Sequence, residues 1–193
     1  MNKTILITGA SSGIGKATAL FFLKQGWNVV ATMREVEEEK ELINSDTCLV
    51  VFSDVTNLHT LEDSIDRGIE KFGTVDVLVN NAGYGLLGPL ELSSVEQVQK
   101  QFDTNLFSIV NAIRIITPHF RTHGGGMIIN LSSMMGRITL PFFSLYSATK
   151  FAVEGLSAGL YYEFKNQNIV IKLIEPGTIK TNFLIGLKTY EPI

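Results

Sequence analysis

Short apolar runs and amphipathic stretches alternate along this chain from its first residues to its last. Thr4-Ile5-Leu6-Ile7, Trp27 to Thr32, Cys48 to Phe52, Val75 to Asn80, Met127 to Leu131 and Ile169 to Ile174 are short, apolar and rich in β-branched residues. Each reads as a strand buried on both faces. Between them, apolar residues recur at helical spacing. Ile14, Ala17, Leu20, Phe21 and Leu23 mark one helix, and Leu58, Leu61, Ile65, Ile69 and Phe72 mark another. Val95, Val98, Phe102, Leu106, Ile109, Ile113 and Ile116 predict a long helix that stops near Pro118, and a further helix runs from about Tyr146 to Lys165. The acidic run Glu35 to Glu41, interrupted by Val36 and Lys40, reads as a solvated helix face. Repeated β-α-β units of this kind predict an α/β fold, a doubly wound parallel sheet with helices on both faces. Ligands of such sheets bind beyond the carboxyl ends of the strands.

Composition narrows the function. A chain of 193 residues is expected to form a single domain, spanning residues 1–193, with 45% hydrophobic and 18% charged residues as in soluble globular proteins. The net charge is −3 and the basic residues are scattered, which argues against nucleic acid and against anionic membrane. No apolar run approaches the roughly 20 residues of a membrane span. The first strand begins by residue 4, leaving no room for a signal peptide, so a cytoplasmic protein is expected. Cys48 is the one cysteine, which excludes an internal disulfide, and its place at the head of a strand suggests a buried structural thiol. His59, His119 and His123 form no metal-ligand spacing with carboxylates or Cys48, and no metal site is expected.

Two motifs carry the chemistry. Thr8-Gly9-Ala10-Ser11-Ser12-Gly13-Ile14-Gly15 follows the first strand and opens the first helix, a Gly-x-x-x-Gly-x-Gly turn. Glycines there let the backbone approach a pyrophosphate, which the free N–H groups of the helix N-terminus attract. The sheet is therefore expected to be Rossmann-type. Further on, Tyr146 and Lys150 are four apart, on one helix face, with Ser133 thirteen residues before Tyr146. Tyr161 and Lys165 repeat the Tyr-x-x-x-Lys spacing, but Ala148 stands thirteen residues before Tyr161 and has no hydroxyl. A phenol facing a substrate can give or take a proton. Its ordinary pKa is about 10, and lowering it by ~2–3 units needs roughly 3–4 kcal/mol of phenolate stabilisation. A nearby Lys150 ammonium is an expected source. Ser133 would hold the substrate oxygen, with Ser132 as its rival. Asn105 interrupts a helical pattern, where its amide either breaks the backbone ladder and holds a water near Lys150 or is purely structural.

Together these residues resemble the classical short-chain dehydrogenase/reductase family, from Thr4 to about Thr181. The resemblance implies a cofactor loop at Gly9, Ser11, Ser12, Gly13, Ile14 and Gly15, and adenine contacts at Asp54 and Val55. It aligns Asn80-Asn81-Ala82-Gly83 with the family's motif closing the fourth strand, so Asn81, Ala82 and Gly83 join the cofactor contacts. Ser133, Tyr146 and Lys150 match its catalytic residues, with Lys150 also on the nicotinamide ribose. Asn105 matches its helix asparagine, implying a proton relay. Pro176-Gly177, continuing through Ile179 to Thr181, matches the segment that usually touches the nicotinamide carboxamide. The implied activity is hydride transfer between NADP(H) and a secondary alcohol/ketone or aldehyde. Dimers or tetramers through the helices around Phe102–Ile116 and Phe151–Leu160 are also implied. Members commonly run some tens of residues past Ile193, through a substrate-covering segment and a seventh strand, so the C-terminal part of the usual fold is expected to be missing.

The residue ending the second strand reads the adenosine ribose, an acid there choosing the free 2′-OH. That position is Met33, and Arg34 follows it, able to pair with a phosphate. NADP(H) is therefore expected in preference to NAD(H), which stays possible because Glu35 lies about 20 residues after Gly15. Glu35 is placed one step into the acidic helix. Tyr84, Leu86, Leu87, Met134, Met135, Phe142, Phe143, Phe183 and Leu184 are apolar residues at loop positions, read equally as walls for an apolar substrate or as a packed loop or subunit contact. The competing functional reading is a non-catalytic dinucleotide-binding sensor or interaction module on the same fold. A sugar-nucleotide epimerase or dehydratase fits the glycine spacing less well.

Overall fold

A computed structural model describes residues 2–181, 183 and 188–189. Six strands form one parallel sheet: β1 (Thr4–Thr8), β2 (Asn28–Met33), β3 (Cys48–Phe52), β4 (Val77–Asn80), β6 (Gly126–Leu131) and β7 (Ile169–Ile174). Their order is β3-β2-β1-β4-β6-β7, so the winding reverses between β1 and β4. Register is parallel throughout, for example Leu6 opposite Val30 on one side and Leu78 on the other. Successive side chains of a strand face opposite layers. Leu6 joins the core formed with α2 (Leu58–Phe72), α4 (Ser108–Thr122) and α5 (Ser144–Phe164), through Leu61, Ile65, Ile113, Phe120 and Val153. Ile5 and Ile7 join the opposite core, which α1 (Gly13–Lys24) covers with Ala19, Leu20 and Leu23. This two-sided burial is why the strands are apolar without a break.

Four local features differ from the pattern in the sequence. The acidic segment after β2 is a series of turns and not a helix. There Glu39 Oε1 accepts the N–H groups of Glu41 (2.7 Å) and Leu42 (3.0 Å), and Lys16 bridges Glu39 and Glu41 at 3.0 and 2.8 Å. Local carboxylate-to-backbone bonds displace the helical ladder, and like charges three and four apart give a helix no support. Pro118 does not end its helix, since α4 continues to Thr122. Pro118 and Arg114, whose carbonyl loses its N–H partner, are both exposed to water, while Phe120 beyond them is fully buried and holds the last turn to the core. Third, the long helix is divided. α3 (Val95–Phe102), opened by a Ser94–Gln97 capping box, passes into a widened π turn at Asp103–Phe107 before α4. An unforeseen strand pair, β5 (Leu86–Leu87) with β8 (Lys188–Thr189), lies apart from the main sheet. Among the described residues no helix is long and apolar enough to cross a membrane.

Candidate active site

The reversal of strand order leaves a crevice at the carboxyl ends of β1 and β4. Gly9 and Gly13 turn the chain there with φ of +66° and +56°, where glycine is unstrained. A Cβ on Gly9 would lie 2.9 Å from Ala82 Cα, and one on Gly15 would overlap the Gly9 carbonyl, so both positions require a bare backbone. Ser12, the N-cap of α1, makes no side-chain cap, which leaves the first N–H groups of the helix facing the crevice mouth. Asn81 knits the two loops together. Its amide donates to Thr8 O (2.8 Å) and Gly9 O (3.0 Å), while Thr8 Oγ1 accepts from Asn81 N (3.0 Å) and Ala82 N (3.1 Å).

A cavity of about 610 Å³ extends from this loop. Its glycine-loop end is lined by Gly9, Ser11, Ser12, Gly13, Ile14, Met33, Arg34, Asp54, Val55, Asn81, Ala82 and Gly83. Its other end is lined by Ser133, Tyr146 and Lys150, with Pro176, Gly177, Ile179 and Thr181 alongside. Gly15 and Asn105 are the predicted site residues that do not reach the surface of this cavity. Gly15 lies under the loop against Gly9 and Asn81, and Asn105 lies behind Gly83, whose Cβ would meet its Oδ1 at 3.2 Å. Arg34 and Glu35 are both exposed, but only Arg34 is on the cavity wall. Asp54 is partly buried, which pushes its carboxyl up. Two bonds from Thr56 to Oδ1 (3.0 and 2.8 Å) and the charges of Arg34 and Lys100 outweigh that and hold it below its ordinary value.

Helix α5 places Tyr146 one turn before Lys150, both buried, at 6% exposure each. Ser133 caps a short 3-10 turn, Met134–Gly136, accepting Met135 N at 3.1 Å, and its hydroxyl lies close to the Tyr146 phenol. Ser132, the rival, points away to the Gly136 side. Lys150 Nζ donates to Leu131 O at 2.7 Å and lies 5.7 Å from the Tyr146 ring centre. Burial lowers the lysine to about 8, opposed by the charge of Glu154. Burial also raises the Tyr146 phenol, more than the Ser133 hydroxyl lowers it. The expected lysine-driven lowering of the phenol is thus not a property of the chain by itself, because enclosure disfavours both ions.

The amide of Asn105 is committed to Tyr84 and Thr149. Oδ1 accepts Tyr84 N (3.1 Å), and Nδ2 donates to Tyr84 O (2.9 Å) and Thr149 Oγ1 (3.2 Å). The residue sits in the π turn, and its side chain fixes the loop after β4 and makes no bond to Lys150. The apolar wall divides as well. Tyr84, Met134, Met135, Phe143 and Phe183 line the cavity, and Phe143 and Phe183 flank the Tyr146 ring at 6.3 and 5.8 Å. Leu86 is packed instead with Leu145, Phe142 is 59% exposed, and Leu184 lies outside the described residues. Lys100, Thr104 and Thr178 also line the cavity. Thr104 and Thr178 adjoin recognised positions, Asn105 and Gly177, whereas nothing in the spacing of Lys100 signals it. Among the described residues no group of three or more His, Cys, Asp or Glu could hold a metal. His119 instead accepts Val75 N at 3.1 Å and stacks on His123 at 4.0 Å.

A family model described as short chain dehydrogenase matches residues 3–191. The chain belongs to that family. The chain of this short-chain dehydrogenase is 43% identical over 181 residues to the 3-ketodihydrosphingosine reductase of Bacteroides thetaiotaomicron, covering 94% of the present chain. It spans 65% of the length of that relative. Among solved structures, a short-chain dehydrogenase from Streptomyces avermitilis superposes with a TM-score of 0.90 at 34% identity, over 99% of this chain and 72% of that one. The 3-ketoacyl-(acyl-carrier-protein) reductase of Brucella melitensis, solved in complex with NADH, superposes with a TM-score of 0.91 at 29% identity, over 96% and 79% respectively.

Proposed function

We propose that this short-chain dehydrogenase moves a hydride between a nicotinamide dinucleotide and a secondary alcohol/ketone or aldehyde, with an apolar substrate and NADP(H) as the preferred cofactor. The observation that carries the reading is the convergence of Ser133, Tyr146 and Lys150 on one end of a cavity whose other end is the glycine cradle. The site fits a dinucleotide on its own chemistry. The Gly9 and Gly15 backbone leaves the room that a Cβ would fill, and the N-terminus of α1 presents unpaired N–H groups to a pyrophosphate. When bound, the nicotinamide supplies or accepts the hydride.

The remaining chemistry falls to the chain. Tyr146 donates its phenolic proton to the substrate oxygen in reduction and recovers it in oxidation. A buried, protonated phenol is suited to the first of these. Ser133 fixes the oxygen beside the phenol, a small oxyanion contact. Lys150, as an ammonium, favours the phenolate left after proton transfer and offers donors to the ribose. Tyr84, Met134, Met135, Phe143 and Phe183 enclose the reacting end in apolar surface, which supports an apolar substrate. The relative that reduces a ketodihydrosphingosine by name agrees with that class. Arg34 on the adenosine end, with no carboxylate at Met33, supports NADP(H). Exposed Phe107 and Phe151 on α4's approach and on α5 support self-association through these helices.

Tyr146→Phe removes the transferable proton and little else. Turnover of a cognate carbonyl should fall by ~10²–10⁴, with dinucleotide affinity kept within a few-fold by fluorescence titration. Near-normal turnover by this variant would remove Tyr146 from the reaction.

A further inference from the structure

Behind the cavity wall lies a charge cluster that the proposed reaction does not use. Glu154 stands one helical turn after Lys150 on α5 and is 8% exposed. A carboxylate so enclosed needs a compensating charge. Arg137, in the turn after Ser133, provides it, with Nη2 3.1 Å from Glu154 Oε2 in ion-pair contact, though not in hydrogen-bond geometry. The same guanidinium donates to Glu175 Oε1 from Nη2 (2.9 Å) and Nε (3.3 Å), and Glu175 directly precedes Pro176. Arg137 thereby ties together the Ser133 turn, helix α5 and the exit of β7, three segments that carry the site. Met134 N donates to Pro176 O at 2.9 Å across the same junction.

Glu154 shares a helix face with Lys150, one turn on, and two features leave its charge strongly felt there. Two carboxylates share one guanidinium, so one negative charge in the trio stays uncompensated. Arg137 and Glu175 keep much of their surface in water, with side chains 61% and 35% exposed, whereas the Glu154 side chain is only 10% exposed. Its field is therefore the least screened of the three. The carboxylate also owes its place to Gly136, where a Cβ would come within 3.0 Å of Oε1 and 2.6 Å of Ser132 Oγ. The groups facing Lys150 are the Tyr146 ring from its own helix, Leu131 O from β6 and the Asn105 amide close by across Gly83. None of these carries a negative charge while the phenol is protonated.

We infer that Glu154, anchored by Arg137, is a positioning residue of this site: from behind, and out of reach of substrate, its carboxylate holds Lys150 in the ammonium form. The inference deepens the proposed reaction, which needs Lys150 charged. Enclosure alone drives the lysine towards neutrality, and Glu154 is the charge that opposes it, leaving Lys150 at about 8.

The test reads the Lys150 amine directly, by NMR of protein labelled with ¹³C at lysine Cε, with Lys150→Met assigning the signal. In Glu154→Gln the titration midpoint should fall by on the order of one pH unit. Glu154→Asp keeps the charge on a shorter arm and should fall part of the way. In carbonyl reduction, the pH at which the rate declines should move down by the same interval, with turnover at pH 6 close to wild type. An unmoved Lys150 midpoint in Glu154→Gln overturns the inference, as does a loss of turnover equal at every pH, which would mark a merely structural role. If Glu154→Gln does not fold, Glu154→Asp decides, and a wild-type midpoint in that variant overturns it. If the wild type turns over no carbonyl, the proposed reaction fails, while the NMR titration still judges Glu154.

Discussion

Replacing Lys150 by methionine should make this chain more stable and, on the proposed reaction, inactive. Lys150 is held at about 8 in the folded chain, because burial disfavours its charge. An unfolded lysine titrates near 10.4, so charging the folded lysine costs about 3 kcal/mol more than charging the unfolded one. The sign follows from proton binding. Below pH 8 both states carry the proton and the full cost is present. Between pH 8 and 10.4 the folded state releases its proton first, so the cost shrinks by up to ~1.4 kcal/mol per pH unit. Above that range it is gone. Methionine has similar length and no charge, but it forfeits the 2.7 Å bond to Leu131 O, worth about 1 kcal/mol. Lys150→Met should therefore be more stable than wild type by roughly 2 kcal/mol at pH 7, or about 1 M in urea midpoint. The advantage should disappear by about pH 10. Urea unfolding followed through Trp27, the sole tryptophan, in contact with Phe22 at 4.8 Å, measures it at each pH. Comparing the two proteins at equal pH cancels the titration of groups that do not interact with Lys150. A variant no more stable than wild type at pH 7, or with a gain that stays flat from pH 7 to 10, would refute a charged, buried Lys150.

Two further predictions rest on other parts of the molecule. Arg34→Ala should weaken NADPH about tenfold or more, the worth of a charge-assisted phosphate contact, and leave NADH nearly unchanged. Met33→Asp should shift preference the same way, and tighter NADH than NADPH binding by wild type in calorimetry would remove Arg34 from that role. His119 is held below its ordinary value, by burial first and then by the charge of His123, while Val75 N donates to its Nε2. Its contribution to stability is therefore present above pH 6.5 and lost as pH falls through its folded value. His119→Gln, which still accepts but does not titrate, should show a shallower loss of urea midpoint between pH 7 and 5, and equal slopes would refute this.

The strands were legible because two-sided burial writes itself as unbroken apolar runs, as in Ile5-Leu6-Ile7. The glycine cradle was legible because a close backbone approach tolerates no Cβ, which leaves a spacing rather than a propensity. The acidic segment was misread because periodicity cannot see Glu39 bonding the backbone at Leu42. Pro118 was misread as a stop because the cost of its missing bond depends on whether Arg114 faces water, and that is settled by Phe120 docking elsewhere. Lys100 was missed altogether, since it reaches the cavity only through the path of α3, with no motif to mark it.

The reading of Tyr146 and Lys150 shows where spacing stops informing. Four residues' separation on a helix does place both groups on one face of the cavity, with Ser133 beside the phenol. From that geometry an ammonium should lower the phenol. What the spacing omits is the dielectric of the face. Both groups are 6% exposed, and enclosure opposes phenolate and ammonium alike, so each is displaced towards its neutral form. The pair is consequently sensitive to any fixed charge nearby, because screening there is weak. Glu154 is such a charge on the lysine side. A positive charge brought close to the phenol would act in the opposite sense to burial and lower it. An oxidised nicotinamide carries a positive charge and a reduced one does not. On the proposed reaction, then, the phenol should be the stronger acid with the oxidised cofactor bound, the state in which alcohol oxidation asks it to accept a proton as phenolate.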